Sequence, residues 1–215
     1  MQAIIFDMDG VISDTEPLQA QAEADVMSSL GLSISVQTMI DRFSGIPETD
    51  VWKILCEENS IPLPSIDALR EKKFSILSSI ARGNVHEISG TIALIRALKT
   101  QGIPRAIASS SRREFITIVI EELRIHNDFD AIVSGTEVQH GKPSPDIFLL
   151  AAQKLQINPS NCIVIEDAKA GTVAAKAAGM KCIGYKPPHS NQDLSRADLV
   201  ISDMNALTID ILQSL

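Results

Sequence analysis

The chain has 215 residues, 45% of them hydrophobic and 21% charged, with a formal net charge of −8. That composition is ordinary for a soluble globular protein and the length supports a sizeable core, as one large domain or a domain with a smaller insertion. The acidic balance without any Lys/Arg run excludes nucleic acid and an anionic membrane surface as natural partners, and an anionic substrate would need a local cationic site.

The first element is the run Ala3-Ile4-Ile5-Phe6, which reads as a short strand buried on both faces. It leads into Asp7, Met8, Asp9 and Gly10. In extended backbone positions i and i+2 share a side, so Asp7 and Asp9 project together from the strand's carboxyl end. Such a pair suggests an oxygen-ligand Mg²⁺ site with one carboxylate free as a nucleophile, or else a solvated Asp-Gly turn. From Glu16 to about Arg82 the texture is helical. One helix starts at Pro17 and stops at Gly31, a second covers Val36 to Phe43, a third starts near Pro47, and a fourth from Ser65 carries Leu69, Lys73, Ile76, Leu77 and Ile80. This reads as a small helical unit inserted after the first strand.

Beyond Val85 strands and helices alternate. The predicted order is a helix Thr91–Thr100, a strand Ile103–Ser109, a helix carrying Phe115, Val119 and Leu123, and a strand Ala131–Val133. Ser144 and Pro145 read as N-cap and first residue of the next helix. Then come a strand Cys162–Ile165, a small-residue helix Ala168–Ala178, strands Lys181–Gly184 and Leu199–Ile201, and a helix near Ala206–Leu212. This pattern argues an α/β fold, a parallel sheet covered by helices on both faces. Cys56, Cys162 and Cys182 are scattered without CxxC spacing and read as reduced thiols. With no basic leader before an apolar stretch and no run near 18 apolar residues, a cytoplasmic location is expected.

The polar residues of interest fall at the predicted strand ends. Asp7 and Asp9, Ser109, and Glu166 with Asp167 follow strands, and Lys142 sits in a loop opening a helix. In an open α/β sheet those ends share one edge, where ligands bind. Singly, Ser109 reads as a cap, Lys142 as a solvated loop residue and Glu166-Asp167 as a helix-start charge pair; jointly they point to one crevice. Gly135 to Lys142 is not a phosphate-binding P-loop, because five residues rather than four separate Gly135 from Gly141 and Pro143 follows the lysine. His86, His126, His140 and His189 are isolated, with His140 near enough to Lys142 to support it.

Asp7-Met8-Asp9-Gly10-Val11, Ser109, Lys142-Pro143-Ser144-Pro145-Asp146-Ile147-Phe148 and Glu166-Asp167-Ala168-Lys169-Ala170-Gly171 resemble, in order and spacing, the four motifs of the haloacid dehalogenase-like phosphotransferases. The inserted helices resemble the cap of the β-phosphoglucomutase-like branch. The resemblance implies a Rossmann-like core over residues 1–15 and 86–215, a mobile helical cap over 16–85, Mg²⁺ and an aspartyl-phosphate intermediate. It implies Asp7 as nucleophile and Asp9 as general acid and base. Ser109, Ser110 and Lys142 would bind the phosphoryl group, and Asp7, the Asp9 carbonyl, Glu166 and Asp167 would hold the metal. The expected partner is a small phosphorylated metabolite, with a sugar phosphate favoured, and the expected state a monomer. Substrate choice would lie in the cap, where Gln19, Arg42, Ser44, Glu48 and Lys72 or Lys73 are candidates, or in the loop Tyr185–Pro188. The mutases' cap histidine falls at Gln19 and their cap arginine at Glu48, so a phosphatase is expected. The alternatives are a β-phosphoglucomutase-type mutase, a pyrophosphate hydrolase and a non-catalytic phosphate-binding domain.

Overall fold

The computed structural model describes residues 2–188 and 190–215; the predicted isolated histidine His189 lies outside the described residues. In chain order the elements are β1 (Ala3–Phe6), α1 (Glu16–Ser28), α2 (Val36–Phe43), α3 (Glu48–Glu58), α4 (Ile66–Ala81), α5 (Thr91–Thr100) and β2 (Arg105–Ser109). There follow α6 (Arg113–Glu122), β3 (Ala131–Ser134), α7 (Asp146–Leu155), β4 (Cys162–Glu166), α8 (Lys169–Ala177), β5 (Lys181–Tyr185), β6 (Leu199–Ile201) and α9 (Ile209–Ser214). They form two compact units, Met1–Asp14 with His86–Leu215, and Thr15–Val85.

The first unit is built on a parallel sheet of six strands in the order β3-β2-β1-β4-β5-β6. β1 is central and buried along its whole length, with Ile5 paired to Ala106 on one side and Val164 on the other. On one face Ala3, Ile5, Ala106, Ala108 and Val164 pack against Phe148, Ala151 and Ala152 of α7 and Ala174 and Ala175 of α8. The many alanines bring the helices close to the sheet. The chain runs outward from β1 through β2 and β3, then returns to the other side of β1 as β4. The strand order therefore switches beside β1, and the carboxyl ends of β1, β2 and β4 open onto the crevice that such a switch creates.

Several boundaries differ from the sequence expectation for local reasons. α7 begins at Asp146 with Pro145 at the cap, because the Ser144 hydroxyl donates to Asp146 Oδ1 at 2.6 Å instead of capping the helix. α1 stops at Ser28 and a turn closes through Gly31, whose φ is +89°. β2 starts at Arg105, since Pro104 carries no N–H and contributes only its carbonyl, to Ile4 N–H at 3.0 Å. Near the carboxyl end a 3₁₀ turn, Met204–Ala206, occupies the start of the predicted helix, and α9 begins only after Thr208, which accepts from Ile211 N–H. Among the described residues no helix is long and apolar enough to cross a membrane.

The helical unit packs around Trp52, fully buried with Met27, Met39, Phe43 and Leu55. Lys73 lies on the buried stripe of α4 and is only 8% exposed. Its ammonium donates to Glu23 Oε1 of α1 at 2.8 Å and Glu48 Oε2 of α3 at 3.0 Å, while Arg70 Nε donates to Glu48 Oε1 at 3.2 Å. One ammonium thus joins three helices. Burial pulls the Lys73 pKa down, but Glu23 and Glu48 outweigh it and the net shift is upward from 10.5. Lys73→Ala should destabilise the helical unit by about 3 kcal/mol or more, since it leaves a largely buried carboxylate without its counter-ion. The wild-type contribution is fully present below the ordinary lysine pKa and should disappear only as pH rises past the raised value. Urea titration followed by fluorescence of Trp52, the chain's single tryptophan, reads both effects.

Candidate active site

The backbone leaving β1 makes one further ladder bond, Asp7 N–H to the Ile165 carbonyl at 3.0 Å, and then turns. The Met8 carbonyl accepts from Ile12 N–H at 2.9 Å and Ser13 N–H at 3.0 Å, closing a compact loop. Gly10 sits in that loop at φ +82°, and a Cβ there would stand 2.1 Å from Asp167 Oδ2. Glycine is required twice over, for the backbone conformation and for the close approach of the Asp167 carboxylate.

Lys142 enters from the loop before α7. Its ammonium lies 2.5 Å from Asp7 Oδ1, 2.7 Å from Glu166 Oε1 and 5.0 Å from the Phe148 ring centroid. The loop is closed on Asp146, whose Oδ2 accepts from His140 N–H at 3.3 Å and lies 3.1 Å from His140 Nδ1. At the end of β4, Glu166 is 1% exposed and its second oxygen accepts from Ala168 N–H at 2.7 Å. α8 passes so near that a Cβ on Gly171 would overlap Glu166 Oε1, at 1.6 Å. Glu166 is therefore fixed on both oxygens, and through it Lys142 is aimed at Asp7.

Asp9 faces the loop after β2. Its Oδ2 accepts from the Ser109 hydroxyl at 3.2 Å and the Ser111 hydroxyl at 2.9 Å. Ser109 is fully buried and Ser110 exposed. The loop is pinned from β3, where the Ser134 hydroxyl donates to the Ser111 carbonyl at 2.7 Å and Gly135 leaves only 2.6 Å between a notional Cβ and the Ser110 carbonyl oxygen.

Asp7, Glu166 and Asp167 each bring one carboxylate oxygen to within 4.8 Å of the others. At an effective dielectric near 20 each like-charged pair at such separations costs about 3–4 kcal/mol. Burial, opposed by Lys142 and reinforced by Glu166 and Asp9, pushes Asp7 up to about 7. Burial, with Glu166 and Asp7 adding to it, raises Asp167 well above the usual carboxylate range. Burial lowers Lys142, yet Asp7 and Glu166 outweigh it and hold the ammonium charged. Once ionised, three carboxylates beside one ammonium leave the cluster short of positive charge, which is why Asp7 and Asp167 hold their protons when no further cation is present. An all-oxygen donor set with that deficit fits a hard divalent cation.

Asp7, Asp9, Ser109, Lys142, Glu166 and Asp167 thus lie together. The sequence reading missed Ser111, whose signal was its place two residues beyond Ser109, and the fixing of Glu166 by Ala168 and Gly171. Gln19, half-buried on α1, and Glu48, first residue of α3, belong to the helical unit. Arg42 of that unit is engaged, its guanidinium donating to both Glu58 oxygens at 2.8 and 2.9 Å above the Phe43 ring. Ser44 donates to Glu16 at 2.5 Å, and Lys72 is exposed. Two cavities, of about 450 Å³ by Arg42 and Glu58 and about 440 Å³ between α5 and the Met204–Asp210 segment, include none of the clustered groups.

A family model described as haloacid dehalogenase-like hydrolase matches residues 4–185. The chain is 34% identical over 185 residues to a fructose-1-phosphate phosphatase of Escherichia coli, covering 85% of this chain and 95% of that protein. It is also 34% identical over 218 residues to a β-phosphoglucomutase of Bacillus subtilis, covering 99% and 94%. The crystal structure of a β-phosphoglucomutase from Clostridium difficile superposes with a TM-score of 0.83 at 28% identity, covering 100% of this chain and 96% of that one.

The raised Asp7 pKa has a consequence for stability. A carboxyl that holds its proton more tightly folded than unfolded favours the native state at low pH, and that advantage is lost as pH rises through the folded value. The cation-free protein should therefore lose thermal stability between about pH 4 and pH 7. A saturating divalent cation should raise Tm by several degrees at pH 8 and far less at pH 5. Calorimetry with chelator and with added Mg²⁺ checks both; a cation effect that does not depend on pH would count against the carboxylate cluster as the site.

Proposed function

The chain belongs to the haloacid dehalogenase-like hydrolases, and within that family we propose that it is a Mg²⁺-dependent phosphatase acting on a small sugar or polyol monophosphate through an aspartyl-phosphate intermediate. The observation that carries this reading is the buried Asp7 carboxylate with the Lys142 ammonium on one oxygen and Asp9 two residues away, at the strand-order switch. The fructose-1-phosphate phosphatase similarity supports the substrate class.

Asp7 attacks phosphorus, forming an Asp7 O–P bond as the bond to the leaving oxygen breaks. Asp9 gives that oxygen its proton, then takes one from the water that attacks the phosphoenzyme, and the Asp7 O–P bond breaks to release phosphate. Lys142 holds Asp7 in place and offsets the repulsion between carboxylate and phosphoryl group. The Ser109 hydroxyl and the exposed loop at Ser110 donate to phosphoryl oxygens. Mg²⁺ bound by Asp7, the Asp9 carbonyl and Asp167, with Glu166 assisting, would neutralise charge on the phosphoryl oxygens. These are oxygen ligands without cysteine or histidine, the set magnesium favours over zinc.

A mutase is the second reading, since the Bacillus subtilis relative is as similar as the phosphatase. Glu48 and Gln19 argue against it. A mutase must hold a second phosphate while its intermediate turns round. Here the aligned position carries a glutamate, and the neighbouring Lys73 ammonium is taken up by Glu23 and Glu48. Glutamate offers phosphate no bidentate fork, and Gln19 carries no titratable proton.

Acid-quench trapping with labelled substrate tests the chemistry. Asp7→Asn should form no labelled phosphoprotein, while Asp9→Asn should keep a nucleophile and turn over about 10²–10⁴-fold more slowly. Equal labelling of wild type and Asp7→Asn would refute the assignment. To separate phosphatase from mutase, β-glucose 1-phosphate is supplied with Mg²⁺ and a trace of glucose 1,6-bisphosphate. Free phosphate should appear as the main product, and faster formation of glucose 6-phosphate would make the enzyme a mutase.

A further inference from the structure

Ser111 lies outside the motif residues, yet it makes the shorter of the two hydroxyl bonds to Asp9 Oδ2, 2.9 Å against 3.2 Å from Ser109. Ser109 Oγ also accepts the Ser111 N–H at 3.1 Å, so the two serines and Asp9 form one small ring of donors and acceptors. The Ser134 bond and the close pass of Gly135 hold this loop from β3.

A hydroxyl has one proton to donate. When the Ser109 hydroxyl turns to a phosphoryl oxygen, it must leave Asp9, and the Ser111 hydroxyl keeps its hold on Oδ2. We propose that Ser111 is a positioning residue for Asp9: it keeps the carboxylate facing the reacting oxygens while Ser109 is transferred from Asp9 to the substrate. Phosphoryl binding then loosens Asp9 by one hydrogen bond, freeing it to rotate toward the leaving group, without letting it swing away. This inference rests on the phosphatase reading, in which Asp9 moves the proton. A position error near 1 Å in such a group is costly in rate, so the hold matters although Ser111 meets no reacting atom.

The test is a double-mutant cycle read by single-turnover phosphate release from fructose 1-phosphate with Mg²⁺. Ser111→Ala should slow the step about 10-fold with KM within about 2-fold of wild type, because what is lost is placement of the proton donor and not substrate binding. Ser111→Thr, which restores a hydroxyl, should recover most of the rate. In an Asp9→Asn background Ser111→Ala should have almost no further effect, since there is no proton transfer left to position. An unchanged rate in Ser111→Ala overturns the inference. So does a 10-fold loss that multiplies fully with Asp9→Asn, which would mark a general loosening of the loop. If Asp9→Asn alone leaves the rate unchanged, the phosphatase reading fails first and the role of Ser111 falls with it, a result distinct from the other two.

Discussion

Everything at the crevice depends on one ammonium placed between two buried carboxylates. Without Lys142, Asp7 and Glu166 would be two carboxylates out of water with no counter-ion, and even beside it burial pushes Asp7 up to about 7. With it, each carboxylate keeps a partner at 2.5 or 2.7 Å, and the central strand can end in acid without unfolding the sheet edge. The same ion pair leaves the cluster short of positive charge, which is what makes it receptive to a cation. Fold and chemistry share one electrostatic condition: the sheet tolerates its acids only while cations of some kind stay beside them.

The packing around the cluster leaves it little freedom. Asp167 occupies the volume a side chain at Gly10 would need, and Glu166 the volume of one at Gly171. Carboxylates set against bare backbone cannot drift without moving a strand or a helix, so their geometry is held by steric contact as much as by hydrogen bonds. The helical unit shows the opposite arrangement. There Lys73, Glu23, Glu48 and Arg70 make a partly solvated chain of charges linking helices that otherwise meet through Trp52 and its aliphatic neighbours.

Much of this was legible beforehand because the signals were local. Ala3–Phe6 is an unbroken apolar run and Val36–Phe43 a short helix, and both appear within the bounds read from sequence, the helix closed by a Ser35 cap that the reading did not name. Asp7, Ser109 and Glu166 could be gathered in advance because strand ends in a parallel sheet share an edge, a rule of topology and not of pairwise contact, whereas Lys142, in a loop opening a helix, joined them through the motif resemblance. What escaped depends on which partner a side chain chooses in three dimensions. Ser144 looked like a cap and bonds Asp146 instead; Lys73 stood in the right stripe of α4, but no spacing rule names Glu23 and Glu48 as its partners; no motif marks Ser111 as a partner of Asp9. Each outcome is settled by distance between segments far apart in the chain, which periodicity does not encode.

The insertion after β1 leaves and rejoins the sheet at one spot. Asp14 N–H donates to the His86 carbonyl at 2.9 Å, Ile88 N–H to the Ile12 carbonyl at 3.0 Å, and Ser13 and Glu87 form an antiparallel bridge between them. To the sheet, this is a two-stranded hairpin whose loop happens to be an entire helical unit. Because the entropy of closing a loop grows only slowly with its length, the stem is nearly indifferent to what it carries. A stem of this kind can carry a module of almost any length at little cost to the sheet, which leaves the acids and their lysine on the sheet side of the junction.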